Sequence, residues 1–112
     1  MNEKYICLKL ITGEVIMGLI ESINDEFFNL EEPVNLSYDY DVNGNFGLKF
    51  VPYMGFCDQQ VFTFNKKYVM MYLNPKQEVV GFYKEFNMSR KLEDDISDLF
   101  NISEYLDKSK LN

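Results

Sequence analysis

The residues of this chain whose type and spacing best suit chemistry are carboxylates. Asp25 adjoins Glu26, Glu31 adjoins Glu32, Asp39 and Asp41 flank one residue, and Glu93, Asp94 and Asp95 run together. A close carboxylate pair can hold a hard cation or divide acid and base roles. None of these groups has calcium-loop spacing, and each reads as a solvated turn or a helix surface. Histidine, the commonest general base and metal ligand, is absent, so the serines and threonines lack their usual activating partner. No H-E-x-x-H or cysteine cluster predicts zinc. Gly44 and Gly47 lack the Lys and helix start of a phosphate loop and read as hairpin glycines. Cys7 and Cys57 are the two cysteines. Without C-x-x-C spacing they read as free thiols of a reducing, cytoplasmic compartment. The expectation is a protein that is not an enzyme and that needs no cofactor or metal.

A chain of 112 residues, 46% apolar, suits one domain around one core. Ten Phe and eight Tyr without Trp favour strands. The net charge is −7. Up to Asn87 there are 7 basic and 12 acidic residues, giving −5; from Met88 there are 4 and 6, giving −2. Spread acidity repels nucleic acid and anionic membrane except where basic residues gather. Met1–Tyr5 carries no apolar stretch of the signal-peptide kind, and no apolar run reaches the length of a membrane span.

The elements follow from alternation and turns. Strands are predicted over 5–11, 15–23, 27–40, 46–56, 61–64 and 68–73. Gly13, Asn24-Asp25-Glu26, Asn43-Gly44-Asn45, Cys57-Asp58-Gln59 and Asn65-Lys66-Lys67 mark the turns. Gly18 predicts a bend within the second strand, and Pro33 breaks the third. A short helix is predicted from Pro75 to Phe86, with Val79, Phe82, Tyr83 and Phe86 on one face. The barrel and this helix are assigned to 1–87, and an acidic helical tail to 88–112. Ser89 or Ser97 is a candidate cap for the tail, and Leu92, Ile96, Leu99, Phe100 and Leu106 its apolar face. The fold class is mainly β: a small, strongly bent antiparallel barrel with a C-terminal helical extension.

The segment Tyr68-Val69-Met70-Met71-Tyr72-Leu73 has no charge on either face. An open edge of that composition aggregates, so the strand must be central, covered or paired with another subunit. With Val61, Phe62 and Phe64 of the preceding strand, Val69, Met70, Met71 and Tyr72 form the candidate oligomer interface. Closure within one chain is the competing arrangement.

The run Leu8-Lys9-Leu10-Ile11-Thr12-Gly13-Glu14-Val15-Ile16-Met17-Gly18, followed by Asp25-Glu26-Phe27-Phe28-Asn29-Leu30, resembles the first motif of the Sm/Lsm family. The interval from Gly18 to Asp25 is one residue longer than usual, which a bulge in the second strand would absorb. Val61-Phe62-Thr63-Phe64-Asn65-Lys66-Lys67-Tyr68-Val69 is similar to the second motif, with Asn65 and Lys66 in place of Arg-Gly. The Tyr-Lys-His signature of the bacterial RNA chaperone is absent, and the acidity is similar to that of phage-type members. The resemblance covers about residues 5–75 and implies a five-stranded, SH3-type barrel. It also implies a homo-oligomeric ring of roughly five to seven subunits, with strand four of one subunit pairing strand five of the next. The family's rings bind single-stranded RNA near the pore. Carried over, Phe27 stacks on a base, Asn29 reads its edge, and Asn65, Lys66 and Lys67 supply the second-motif loop. The alternative roles are that Phe27 packs under its turn and that Asn29 bonds backbone. The resulting expectations are an RNA-binding ring or, alternatively, a homo-oligomeric scaffold that binds protein through residues 88–112, with no membrane association.

Overall fold

Six strands form where apolar alternation is bounded by turn residues, in a computed structural model that describes residues 3–92. They are β1 (Tyr5–Leu10), β2 (Val15–Ile23), β3 (Phe27–Tyr40), β4 (Phe46–Pro52), β5 (Val61–Asn65) and β6 (Val69–Leu73). A 3-10 turn, Lys66–Tyr68, links β5 to β6. Gly13 (φ 97°) and Gly44 (φ 81°) supply the left-handed backbone of the first and third reversals. The sheet is antiparallel, in the order β4-β3-β2-β1-β6, and β5 also pairs with β3.

Two irregularities decide which side chains face the core. Leu19 opposes Glu31 and Met17 opposes Val34, so β3 carries an extra residue at Glu32-Pro33, where Glu32 adopts φ 48°. Gly18 lies opposite. A Cβ there would stand 3.1 Å from Leu30 Cβ and 3.2 Å from the Glu31 carbonyl oxygen, so only glycine allows this close approach. On β2 the register shifts again between Ile20 and Ser22, which makes Glu21 the extra residue. This bulge lies within the interval between Gly18 and Asp25. As a result Ile16, Ile20, Phe28 and Leu30 face the core with Ile6, Leu8, Leu10 and Phe64. Beyond the β3 bulge the parity of that strand is reversed. Met17 and Val34, also fully buried, lie on the opposite face.

The short link between β5 and β6 requires strong curvature. In a flat sheet, four strand spacings from β5 through β3, β2 and β1 to β6 would span about 19 Å. Four Cα steps cover at most about 14 Å when extended, and a 3-10 turn covers less. The turn is tied down on both sides: Lys66 N donates to Glu26 O at 2.8 Å, and Ile11 N donates to Tyr68 O at 2.9 Å. The sheet therefore curls, but it differs from a closed five-stranded barrel. It has six strands, and β5 and β6 remain separate edges. β3 runs past the bulge and pairs with β4 to build a hairpin.

The hairpin turn is organised by Asp41. Its carboxylate accepts from Asn43 N and Asn45 N, both at 2.9 Å. The Asn45 and Asn43 amides hold its pKa below the ordinary 3.8. A depressed folded value means that this contribution is present above the unfolded pKa and is lost as pH falls through the folded one. The protection factors of the Asn43 and Asn45 amides, taken against the intrinsic exchange rate at each pH, are accordingly expected to fall on acidification below the ordinary carboxylate range, and at neutral pH in Asp41→Ala. Unchanged protection would show that Gly44 alone organises the turn.

By spatial grouping the chain divides into Met1–Val80 and Gly81–Asn112. The sequence-derived boundary at 87/88 falls inside helix α1, which covers residues 77–92. Val80, Tyr83 and Asn87 are its buried residues, and Phe82 is exposed. The predicted face of Val79, Phe82, Tyr83 and Phe86 is thus rotated by about one position, because the spacing 80, 83, 87 also satisfies a 3.6-residue period. Ser89 lies within the helix and caps nothing. Ser97 and the apolar positions Ile96, Leu99, Phe100 and Leu106 lie outside the described residues. Among the described residues no helix is long and apolar enough to cross a membrane.

Candidate functional site

The turn before β3 and the turn after β5 come together, with Lys66 N donating to Glu26 O at 2.8 Å. Asn24 Oδ1 accepts from Glu26 N at 2.9 Å and Phe27 N at 2.8 Å, which sets the entry of β3. Asn65 Oδ1 accepts from Lys67 N at 3.0 Å and so caps the 3-10 turn. Phe27 is the register partner of Asn65, and Asn29 of Thr63. Phe28 and Leu30 point into the core, so alternation places Phe27, Asn29, Thr63 and Asn65 on the outer face.

Asn29 is held from both sides. Its Nδ2 donates to Ser22 Oγ at 3.0 Å, and its Oδ1 accepts from Thr63 Oγ1 at 2.7 Å. These bonds leave one amide N–H and one lone pair, a donor and an acceptor side by side. Such an amide is oriented before any ligand arrives. The sequence did not reveal that Ser22 and Thr63 hold the Asn29 amide, because it is the bulge at Glu21 that brings Ser22 level with Asn29.

The two lysines do not join this face equally. Lys66 Nζ lies 5.3 Å from the centroid of the Phe28 ring, on the core side of β3. Lys67 Nζ lies 5.1 Å from the centroid of the Tyr68 ring. Lys66 instead borders an open cleft of about 430 Å³, lined by Ile6, Ile23, Phe28, Val69 and Tyr72. The cleft runs beside β6, where Met70, Met71 and Tyr72 are 59, 44 and 67% exposed. In the proposed interface strand β5, Phe64 is buried in the core and Phe62 packs against it, while Val61 is half-buried. What β5 leaves open is its backbone edge.

Other groups suited to chemistry are dispersed. Among the described residues no three Cys, Asp or Glu side chains gather as a metal site would require. Cys7 and Cys57 are free, and burial pushes the Cys7 thiol pKa up, away from the reactive thiolate. The Tyr5 hydroxyl is pushed up to about 12 by burial, by its 2.7 Å hydrogen bond to Glu3 and by the charges of Glu3 and Glu32. It stays a neutral donor. The carboxylates Glu93, Asp94 and Asp95 lie outside the described residues.

No family model matches the chain, and no curated protein matches it.

Proposed function

We propose that this chain is an Sm-like protein that assembles into a homo-oligomeric ring and offers the Phe27–Asn29–Asn65 face to single-stranded RNA. The carrying observation is the pair of unlike open edges. β6 presents an uncharged, exposed Met70-Met71-Tyr72-Leu73 edge, and β5 presents an unpaired backbone edge on the far side of the curled sheet. Joining β5 of one copy to β6 of the next is a heterologous contact, which closes into a ring when the rotation permits. It would also cover the cleft beside β6 and remove an aggregation-prone edge. The order β6-β1-β2-β3-β5, with β4 as an insertion, agrees with this reading, as does the meeting of the two motif turns. The free thiols suit a reducing cytoplasm.

Light scattering on a sizing column tests the assembly. A mass of roughly five to seven subunits is expected, and a monomer at micromolar concentration would sink it. For RNA, uridine and adenine oligonucleotides are titrated into the full chain. Phe27→Ala is expected to weaken binding about 5–100-fold, the worth of one stacked base. Equal affinity in that variant would remove Phe27 from the site. A second reading, a homo-oligomeric scaffold without RNA binding, is favoured by the side chain of Lys66 facing away from Phe27 and by the net charge of −7. A ring-sized mass with no oligonucleotide binding, and a partner captured only when residues 88–112 are present, would select it.

A further inference from the structure

A directed chain of hydrogen bonds crosses the outer face of the sheet. Thr63 Oγ1 donates to Asn29 Oδ1 at 2.7 Å, Asn29 Nδ2 donates to Ser22 Oγ at 3.0 Å, and Ser22 Oγ donates to Glu21 Oε2 at 2.5 Å. Every donor points the same way, from β5 across β3 to β2. The β2 bulge supplies the last link: Glu21 is the extra residue, and Ser22 is the one level with Asn29.

The direction is set at one end of the chain. A hydroxyl both donates and accepts, so Ser22 and Thr63 alone would hold the Asn29 amide equally well with its oxygen and nitrogen exchanged. A carboxylate only accepts. Glu21 therefore obliges the Ser22 hydroxyl to donate toward it, which leaves a Ser22 lone pair for Asn29 and draws Nδ2 to that side. Oδ1 is then turned to Thr63. The negative charge of Glu21 acts in the same sense, because it favours the N–H end of the amide dipole on its own side.

An amide in one fixed orientation discriminates between base edges, and one free to turn over does not. The remaining N–H and lone pair of Asn29 meet a base in a single order. Adenine offers an exocyclic donor beside a ring acceptor. Hypoxanthine, the base of inosine, offers an exocyclic acceptor beside a ring donor. For a base held in one stacked pose on Phe27, only one of these two patterns matches a fixed amide.

We infer that Glu21, acting through Ser22, is a positioning residue that fixes the Asn29 amide and thereby makes the site select between amino-type and keto-type bases. This rests on the RNA reading of the Phe27–Asn29 face.

The test titrates short adenosine and inosine oligoribonucleotides into the full-length protein and reads fluorescence anisotropy. The two bases share one ring system and differ in this edge, so the ratio of their affinities separates edge reading from stacking and from charge. The unaltered protein is expected to prefer one of them by about 5–150-fold. Glu21→Gln and Ser22→Ala are each expected to remove most of that ratio. Glu21→Gln also loses a negative charge and should strengthen both oligomers alike. Thr63→Val is expected to keep the preference, because the Glu21–Ser22 end still sets the amide. Glu21, Ser22 and Thr63 are all exposed, so the variants are expected to fold as the unaltered chain does. No binding of either oligomer by the unaltered protein would remove the RNA reading and this inference with it. Binding without preference, or a preference that survives Glu21→Gln, would overturn the inference and leave the RNA reading standing. A preference lost equally in Thr63→Val would also overturn it, since the loss would then reflect local structure rather than amide orientation.

Discussion

Leu30→Ala is expected to lower the unfolding free energy by about 2–5 kcal/mol, the usual cost of emptying a well-packed leucine site. Leu30 is fully buried. It opposes Ile20 on one side and Phe62 on the other, so three strands converge on its side chain. The glycine at position 18 brings β2 close over it, and little can move inward to refill the space. The consequence reaches the candidate site, because Leu30 anchors the strand on which Phe27 and Asn29 are presented. Urea denaturation of the variant measures the loss. A change below about 1 kcal/mol would mean that the core collapses around the gap and that the curled sheet is more plastic than its close Gly18–Leu30 approach indicates.

The second large effect concerns assembly. Met70→Glu with Met71→Glu is expected to convert the proposed ring of roughly five to seven subunits into a monomer, since charge on an edge strand blocks strand addition. Both side chains are exposed in the single chain, and the carboxylate introduced at position 71 would face Lys9 across the β1 pairing. The cost to the isolated fold should therefore be small, within about 0.5 kcal/mol, as for ordinary surface changes. Light scattering and urea denaturation on the same preparation separate the two effects. A variant that keeps the oligomeric mass places the interface elsewhere, with the free edge of β4 as the next place to charge. A variant that unfolds shows β6 to be needed within its own chain.

Much of this architecture was legible from residue order alone. The strand limits at Val15 and Ile23, the turns at Gly13 and Asn43-Gly44-Asn45 and the bend at Gly18 all follow from side-chain alternation and backbone conformational limits, which are local properties. Local too is the absence of histidine, which removes the usual general base whatever the fold. The absence of charge over 68–73 is also read from composition, and it requires the strand to be central, covered or paired.

Tertiary structure decided what depends on register. A single extra residue at Glu32-Pro33 reverses the parity of β3, so Phe28 and Leu30 face the core while Val34, Tyr38 and Tyr40 take the other side. The sequence marks a break at Pro33 but not which face the residues beyond it take. Another extra residue at Glu21 sets Ser22 beside Asn29, and no pattern in β2 alone foretells that. The direction of Lys66 toward Phe28, rather than toward Phe27, follows from the 3-10 turn that the short β5–β6 link imposes. The open state of the sheet is likewise a matter of curvature accumulated over several strands. Sequence by itself determined where strands and turns form and which chemistry the chain lacks, because those depend on near neighbours. Only the folded sheet decided which faces those residues share and which edges stay open, because bulges and twist act between strands far apart in the chain.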